Sequence, residues 1–386
     1  MGKLRSYLNS VQKKLEAAAG ASLKELPDNE VADMVYDMTL SLMRLSSGCP
    51  AEVRLGVRNA LMTAGVRAVA DVFDPPEGEA QQEAEDEHEA AEEEPGEEAA
   101  GEVPEDVGEV RGVVARLWEL EQPLRLVPGT DIILTTGTRA ASLESCQDRC
   151  EEPLFEYVNE EKLMTPLTRA YLALLDNYER ETSRAEEVTD EERREMNSFL
   201  VLMSKTPHFR YVHKVLVAWD KADESMDDFL SNVYTAWFST YRLGKKGPNA
   251  SSGFEHVFVG EEKYDYKRRK SVITGFHNWI QFYTEEQRGN VNYLGYVGHS
   301  DEDDLVVSAR FLWEDGDPGS EGKSVSTFLV GTSIAFEFSL ATLCFFAFEG
   351  DDCNRPLEIG GHSLKVQAYK YHSRLGTHVR TVFLEG

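Results

Sequence analysis

The feature that most limits how this chain can fold is an acidic segment between a short N-terminal part and a long C-terminal part. Residues 71–109 contain 18 acidic side chains and no Lys or Arg. Residues 75–108 also lack aromatic side chains, so they cannot bury enough apolar area to offset the entropy lost on ordering. We therefore predict a disordered linker over 75–109, between a small helical region over 1–74 and a folded domain over 110–386.

Residues 71–109 also account for most of the net charge of −29 in this 386-residue chain, since removing their 18 charges leaves −11. A domain that is still acidic is not expected to hold duplex nucleic acid through a broad basic surface, and no DNA partner is predicted. A short single strand in a cleft remains compatible. The basic run 263–270 is either a contact for an RNA backbone or a solvated hairpin loop. We interpret the linker as a self-repelling spacer rather than as a mimic of RNA.

The N-terminal region shows apolar residues at intervals of three and four, which predicts two amphipathic helices. Its first residues, Met1-Gly-Lys-Leu-Arg-Ser6, fit the acceptor pattern for myristoylation of Gly2. Lipidation would give weak membrane association, because one acyl chain with a few lysines anchors only marginally. The alternative is a frayed amphipathic helix without a lipid.

The pattern of the long domain changes near residue 249, from mainly helical over 110–248 to β-rich over 249–386. Helices are predicted where apolar residues repeat every three or four positions, with Thr189 as an N-cap for 191–203 and Tyr241 at the end of a stripe that starts at Phe229. Alternation predicts strands at 254–259, 271–274, 291–297, 305–313, 324–330, 363–371 and 378–383. The apolar run 333–346 predicts a buried helix. The fold class is therefore α+β with antiparallel sheets.

The five cysteines (Cys49, Cys146, Cys150, Cys344 and Cys353) are odd in number and lack Cys-x-x-Cys spacing. This argues against a disulfide framework and a zinc site, so we expect reduced thiols. No N-terminal apolar run precedes a small-residue cleavage site, and no apolar stretch approaches the roughly 20 residues that span a bilayer. We expect a cytoplasmic protein, peripherally bound to membrane if Gly2 is acylated, and favour a monomer.

Two histidines and one lysine in the β-rich part carry the chemistry. They lie in Ser251-Ser-Gly-Phe-Glu-His-Val-Phe-Val-Gly-Glu261, in Gly275-Phe-His-Asn-Trp279, and at Lys323 before a Ser/Thr-rich strand. RNA can be cleaved by its own 2′-hydroxyl if a protein moves two protons and stabilises charge on the phosphate, and histidine titrates in the suitable range. The alternative for His256, which lies between two aromatic residues, is an ordinary core histidine.

At these residues the sequence resembles the EndoU (XendoU-type) endoribonucleases. The resemblance continues in an ordered series that includes Leu117-Trp118, Leu174-Leu-Asp-Asn-Tyr178, Gly331-Thr-Ser333, Phe336-Glu-Phe338 and Gly376-Thr377. It covers roughly residues 111–386. It implies a catalytic region of two sheet-containing lobes with the cleft between them, acting on single-stranded RNA near uridines and leaving 2′,3′-cyclic phosphate ends.

The resemblance also implies roles for individual residues. His277 is the general base, His256 the general acid, and Lys323 stabilises the pentavalent phosphorus. The position of His277 at the start of a helix agrees with a neutral base, because the helix dipole disfavours an imidazolium there. Glu255 and Glu261 match carboxylates that orient a histidine or hold the Mn²⁺ that many members use; the alternative from the residues alone is a structural ion pair. Ser326, Thr327 and Thr377 are expected to support the site or contact RNA.

One departure from the family pattern concerns the base. The family usually ends with a Gly-Thr-Ala-Tyr-like segment whose Thr and Tyr flank the uracil, whereas Gly376-Thr377 is followed here by His378-Val379. Val379 offers no ring for stacking, and His378 is either a substitute ring or a surface strand residue. The leading hypothesis is an endoribonuclease. The alternative is a catalytically weak RNA- or protein-binding module that kept the fold.

Overall fold

The computed structural model describes residues 109–140, 150, 152–242, 247–267, 269–300, 303–313, 322–348, 353 and 355–385. The predicted N-terminal helices, Gly2 and the linker up to residue 108 lie outside the described residues and stay predictions. Among the described residues, no helix is both long and apolar enough to cross a membrane.

Helices dominate the first half of the described chain and strands the second half. The helices are α1 (Val110–Glu121), α2 (Glu160–Leu163), α3 (Pro166–Leu172), α4 (Asp190–Lys205), α5 (Pro207–Ala218), α6 (Met226–Trp237), α7 (Trp279–Gln287) and α8 (Ile334–Ala347). The strands are β1 (Ile132–Leu134), β2 (Phe155–Val158), β3 (Tyr241–Arg242), β4 (Asn249–Ser251), β5 (Glu261–Asp265), β6 (Lys270–Thr274), β7 (Val291–His299), β8 (Val306–Trp313), β9 (Lys323–Leu329), β10 (Leu357–Ile359), β11 (His362–His372) and β12 (Thr377–Glu385). A π-helical turn covers Glu255–Val259.

Two three-stranded sheets and three two-stranded sheets make up the β structure of the described residues. Strands β7, β8 and β9 form one sheet in that order, and β10, β11 and β12 form the other. The pairings within the sheets are antiparallel. The predicted α+β fold with antiparallel sheets is confirmed, because the alternating segments from 291 onward are long enough to specify strands.

The helix α8 is the centre of the hydrophobic core. It is buried over nearly its whole length, since twelve of its fourteen residues are buried. Helix α5 and the sheet strand β11 pack against it. An apolar sequence on all sides of a helix predicts this position, as the run 333–346 did. Helix α4 begins as predicted, with a capping box in which Thr189 and Glu192 exchange hydrogen bonds.

The prediction of a strand over 254–259 is wrong, because the segment is helical. The amide of His256 bonds to the Ser252 carbonyl, and the amide of Gly260 bonds to the Glu255 carbonyl five residues back. Every residue from Phe254 to Val259 is buried. A short segment buried on all sides shows apolar residues without the period of a helix, so alternation alone misassigned it.

Two further predictions are corrected. The helical stripe from Phe229 ends at Trp237, and Tyr241 lies in β3 because the chain turns before it. Cys344 and Cys353 are joined by a disulfide, so the expectation of reduced thiols is wrong for this pair. Their Cα atoms are 5.7 Å apart, within the range that a disulfide spans, and this proximity is set by the tertiary structure rather than by spacing. Cys150 is a buried free thiol.

Gly275, which follows β6, allows the tightest backbone approach in this region. Its φ is +67°, and a Cβ at this position would lie 1.7 Å from the His256 carbonyl oxygen. Gly289, after α7, has a similar φ of +74° but has nothing within 4 Å of such a Cβ. Both glycines therefore adopt the left-handed conformation, but only Gly275 lacks room for a Cβ atom.

We predict that Gly275→Ala lowers the free energy of unfolding by at least about 3 kcal/mol, because backbone atoms of His256 must move. Gly289→Ala, the matched control, should lower it by only about 1 kcal/mol for the left-handed conformation. Urea unfolding of both variants measures the difference. Equal losses would contradict the steric argument.

Candidate active site

His256 is held by the π-helical turn and by a carboxylate behind it. Ser252 and Glu255 cap the turn reciprocally: the amide of Glu255 bonds to Ser252 Oγ, and the amide of Ser252 bonds to Glu255 Oε2, each at 3.1 Å. His256 Nδ1 lies 2.7 Å from Glu261 Oε2. A carboxylate only accepts, so Nδ1 donates and Nε2 is the nitrogen available to a substrate. The side chain is nearly buried, with 7% of the residue exposed.

A sharp turn after β6 brings His277 beside His256. Gly275 and Phe276 both have positive φ, +67° and +63°. Left-handed geometry is rare for a bulky residue such as Phe, so the surrounding contacts must hold it. The amide of Phe276 bonds to the His256 carbonyl at 3.0 Å, and the amide of His277 bonds to the Val257 carbonyl at 2.8 Å. The two imidazole rings consequently lie 6.4 Å apart between centroids.

Strand β9 adds Lys323 and Ser326 to the same turn. Lys323 Nζ donates to the Gly275 carbonyl at 2.6 Å, and Ser326 Oγ donates to the Phe276 carbonyl. These residues are three apart and would face opposite sides of a regular strand. In the pairing with β8, Phe311 is opposite Lys323 and Ala309 is opposite Ser326, so β9 has one residue more than β8 here. This bulge turns both side chains toward the histidines.

Ser326 also determines which nitrogen of His277 carries the proton. His277 Nδ1 lies 3.1 Å from Ser326 Oγ. The single hydroxyl hydrogen of Ser326 is used on the Phe276 carbonyl, so Oγ accepts from Nδ1–H. Nε2 of His277 is then the unprotonated nitrogen, the form that a general base requires.

The start of helix α7 fixes the residue after His277. Asn278 caps this helix by accepting from the amide of Gln281, and it also accepts from the Tyr171 hydroxyl at 2.9 Å. Its amide group donates to Glu337 Oε2 at 3.1 Å. Burial raises the pKa of Glu337 to about 8. The network joins α3, α7 and α8 directly behind His277.

Burial and charge lower the proton affinity of His277 and Lys323. The pKa of His277 lies well below its usual 6.5, because burial, the nearby Lys323 cation and His256 all disfavour an imidazolium. Burial lowers the pKa of Lys323 to about 8. At neutral pH the site therefore combines a neutral imidazole with a cation.

The pKa values of the two carboxylates near His256 are shifted in opposite directions. Burial, followed by repulsion from Glu261 and Glu186, raises the pKa of Glu255 well above its usual value. Burial acts in the same direction on Glu261, but the charge and hydrogen bond of His256 outweigh it and lower the pKa of Glu261. Glu261 is thus the more readily ionised of the two and orients His256, whereas Glu255 holds its proton more tightly and caps the π-helical turn.

These contacts do not fit a resident Mn²⁺ at Glu255 and Glu261. Both residues are fully buried, and each has one oxygen committed to a protein partner. Burial raises the pKa of Glu255, which makes it a weaker ligand for a hard cation because the ligand must be deprotonated. The described residues contain no group of three or more His, Cys, Asp or Glu side chains that could hold a metal.

The remaining predicted residues are placed less centrally. Thr327 lies on the other face of β9 from Ser326 and bonds to Ser308, so the structure does not bring it to the histidines. Thr377, at the start of β12, is half-buried and bonds to His372.

Both interpretations of His378 are wrong. Its ring is fully buried and bonds to Ser373 Oγ and the Thr235 carbonyl, so it is neither a surface residue nor a stacking ring.

Sequence reasoning missed two residues of β12 beside the site. Phe383 stacks on His277 with ring centroids 5.4 Å apart. Arg380 is the extra residue of a bulge, since Tyr369 is opposite Thr381 and Lys370 is opposite Val379. The Arg380 charge acts on Glu261, and its buried Nη1 has no hydrogen-bond partner among the described residues. Alternation along β12 predicts no bulge, so no pattern in the chain pointed to Arg380.

A family of known proteins matches the chain over nearly all of the described residues. The family model described as "Endoribonuclease XendoU" matches residues 109–384. The chain belongs to the XendoU endoribonuclease family. The predictions of EndoU membership and of an endoribonuclease are thereby confirmed.

Individual relatives support the same assignment. The chain is 34% identical over 280 residues to a poly(U)-specific endoribonuclease of Xenopus tropicalis, covering 70% of this chain and 92% of that protein. It is 39% identical over 246 residues to a uridylate-specific endoribonuclease of Bos taurus, covering 63% and 56%. The solved structure of XendoU, titled a splicing independent snoRNA processing endoribonuclease, aligns with a TM-score of 0.59 and 32% identity, covering 74% of this chain and 97% of that one.

We predict that Ser326→Ala reduces kcat about tenfold with little change in KM, because His277 loses the acceptor that fixes its tautomer. The matched control is Thr327→Val, which removes the neighbouring hydroxyl on the opposite face and should change kcat less than about twofold. Steady-state cleavage of a uridine-containing oligonucleotide measures both. Equal effects of the two variants would refute the positioning role of Ser326.

Proposed function

We propose that this endoribonuclease cleaves single-stranded RNA next to uridines and leaves a 2′,3′-cyclic phosphate. The observation that carries the proposal is the cluster of His256, His277 and Lys323 around the Gly275 turn, with the two rings 6.4 Å apart. Two histidines with free Nε2 atoms and a nearby cation suit internal transesterification, in which the RNA supplies the nucleophile.

The reaction follows from the protonation states of the site. His277 Nε2 accepts the proton of the 2′-hydroxyl, and the 2′-oxygen attacks the adjacent phosphorus. His256, protonated and oriented by Glu261, gives its Nε2 proton to the departing 5′-oxygen as the P–O5′ bond breaks. Lys323 stabilises the extra negative charge of the pentavalent phosphorus, and this contribution grows in a partly desolvated site. Neither oxidant nor water is consumed in this step.

The uridine preference is supported by the relatives and opposed by one residue. The relatives are described as poly(U)-specific or uridylate-specific. Thr377 keeps a hydroxyl for a base or phosphate. Val379 is fully buried, however, and removes a stacking partner worth roughly 1–3 kcal/mol. We therefore propose a preference for uridine that is weaker than one supported by a stacking ring.

The alternative function is a binding module with weak turnover, favoured by Val379 and by the acidic balance of the chain. It predicts RNA binding without cleavage. Stimulation of cleavage by Mn²⁺, which the resemblance implies, stays a proposal. No step of the reaction given above uses a metal ion. Membrane association through Gly2, a monomeric state and cytoplasmic localisation also stay proposals.

We predict that wild type cuts a fluorescent uridine-containing oligonucleotide and that His256→Ala and His277→Ala each slow cleavage by about 10²-fold or more. The matched control is His362→Gln, because His362 pairs with Asp303 away from the cluster. The assay is run with Mn²⁺ and with EDTA, and product ends are identified by mass spectrometry. A cyclic phosphate supports internal attack. A 5′-phosphate product, or binding without cleavage, rejects the proposed reaction.

The pKa of Lys323 predicts the alkaline side of the pH profile. The ammonium is present below its pKa of about 8 and is lost above it, so full kcat/KM should not extend above about pH 8. The lowered pKa of His277 keeps the base neutral down to below pH 6.5, so the acid limb should lie below that value.

Lys323→Arg, which retains its charge, should be slower but should move the alkaline midpoint up by about one unit or more. Lys214→Arg, an exposed control, should leave the profile unchanged, and an unmoved midpoint in Lys323→Arg would assign that limb to another group.

A further inference from the structure

The β5–β6 hairpin connects the two halves of the site directly. Its strands pair from Glu261 opposite Thr274 out to Asp265 opposite Lys270. At its base, Glu261 binds His256, and Gly275 receives the Lys323 hydrogen bond. Five paired residues at about 3.3 Å each place the tip roughly 15 Å from the base. The hairpin is thus long enough to reach nucleotides beyond the scissile phosphate.

The tip of this hairpin exposes an aromatic pair. Tyr266 is 86% exposed and Tyr264 is 46% exposed, the former being the most exposed of the large apolar or aromatic side chains in the described residues. Their ring centroids are 5.1 Å apart in an edge-to-face arrangement. A ring that is almost completely in solvent adds little to the fold, so core packing does not explain Tyr266.

The hairpin is also locally basic within an acidic chain. Residues 263–270 contain five Lys or Arg side chains and one Asp, whereas the whole chain carries −29. Lys263 is exposed and lies on the same strand face as Glu261, the residue that contacts His256, because side chains two apart share a face. Lys263 therefore extends the strand face that begins at Glu261, whereas Tyr264 lies on the opposite face and Tyr266 lies in the turn at the tip.

Cations next to exposed aromatic rings fit single-stranded RNA. Lysines attract the phosphates, and any base can stack on a tyrosine ring, worth roughly 1–3 kcal/mol per base. A phosphopeptide would use the charges but not the exposed ring pair, and an anionic membrane surface would not require continuity with the catalytic cluster. Charge and continuity together select RNA as the occupant.

We propose that the tip of the β5–β6 hairpin is a subsite for nucleotides that flank the cleaved phosphate, with the RNA backbone contacting Lys263 on one face and a base stacking on Tyr264 or Tyr266 where the RNA crosses the tip. The inference rests on the proposed function and extends it. If the hairpin binds flanking nucleotides, KM should depend on the length of the RNA through a surface outside the catalytic cluster. It also explains how an acidic enzyme retains RNA: the contact is a short basic arm rather than a broad patch.

The test compares a long and a minimal substrate. The Tyr264→Ala/Tyr266→Ala and Lys263→Gln/Lys267→Gln double variants are assayed with a single-stranded uridine-containing 20-mer and with the dinucleotide UpU. We expect KM for the 20-mer to rise at least about fivefold in each variant. KM for UpU should change less than about twofold. In the lysine variant, the slope of log affinity against log salt should fall by about 0.7 for each phosphate that no longer pairs with a lysine.

Matched controls remove similar groups elsewhere. Tyr157→Ala deletes a tyrosine that is 48% exposed in β2, and Lys214→Gln neutralises an exposed lysine of α5. Neither should change KM for the 20-mer by more than about twofold. Thermal unfolding of all variants verifies that the hairpin substitutions leave the domain folded.

A binding experiment separates failure of this inference from failure of the proposed function. Fluorescence anisotropy is measured with a 20-mer containing 2′-deoxyuridine, which lacks the attacking hydroxyl and cannot be cleaved by the proposed reaction. Weaker binding by the hairpin variants supports the subsite even if wild type cuts neither substrate, a result that would reject only the proposed function. Unchanged binding of the 20-mer, or an equal decrease in cleavage of the 20-mer and UpU, overturns the subsite.

Discussion

The site depends on one backbone contact, between the turn at Gly275–Phe276 and the carbonyl of His256. No side chain larger than hydrogen fits at Gly275, and the following two amides bond to His256 and Val257. This contact sets the separation of the two imidazole rings. It also leaves the Gly275 and Phe276 carbonyls facing β9, where Lys323 and Ser326 bind them. The lysine and the backbone of both histidines are therefore positioned by main-chain atoms, which are more rigid than long side chains, and Glu261 and Ser326 then orient the two rings.

Burial then gives chemically similar groups different roles. Glu255 and Glu261 are six residues apart, yet one has a raised pKa and caps the turn, whereas the other has a lowered pKa and orients His256. His277 is kept neutral by burial beside a cation, and the same burial weakens the hold of Lys323 on its own proton. Environment rather than residue type assigns the acid, the base and the electrostatic group. The acidic balance of the chain is compatible with RNA cleavage because this small set of groups acts at short range.

Prediction and structure agree best where a sequence pattern is long. Long alternating segments predicted β7, β8, β11 and β12, and the capping residue Thr189 predicted the start of α4. The six residues around His256 were misassigned as a strand, because a buried π-helical turn has no distinguishing period. The bulges in β9 and β12 could not be predicted from the sequence either, since an extra residue in a strand is defined only by its pairing with the partner strand. The disulfide between Cys344 and Cys353 depends likewise on proximity in space.

The sequence alone determined the α+β class, the EndoU resemblance and the candidate residues His256, His277 and Lys323, because these depend on local periodicity and on motifs that are contiguous in the chain. Only the tertiary structure decided that Glu261 rather than Glu255 binds His256, that Ser326 rather than Thr327 contacts His277, and that Arg380 and Phe383 lie beside them. These choices depend on one-residue shifts in strand pairing and on burial. Both are properties of how distant segments pack, and neither is encoded at a single position.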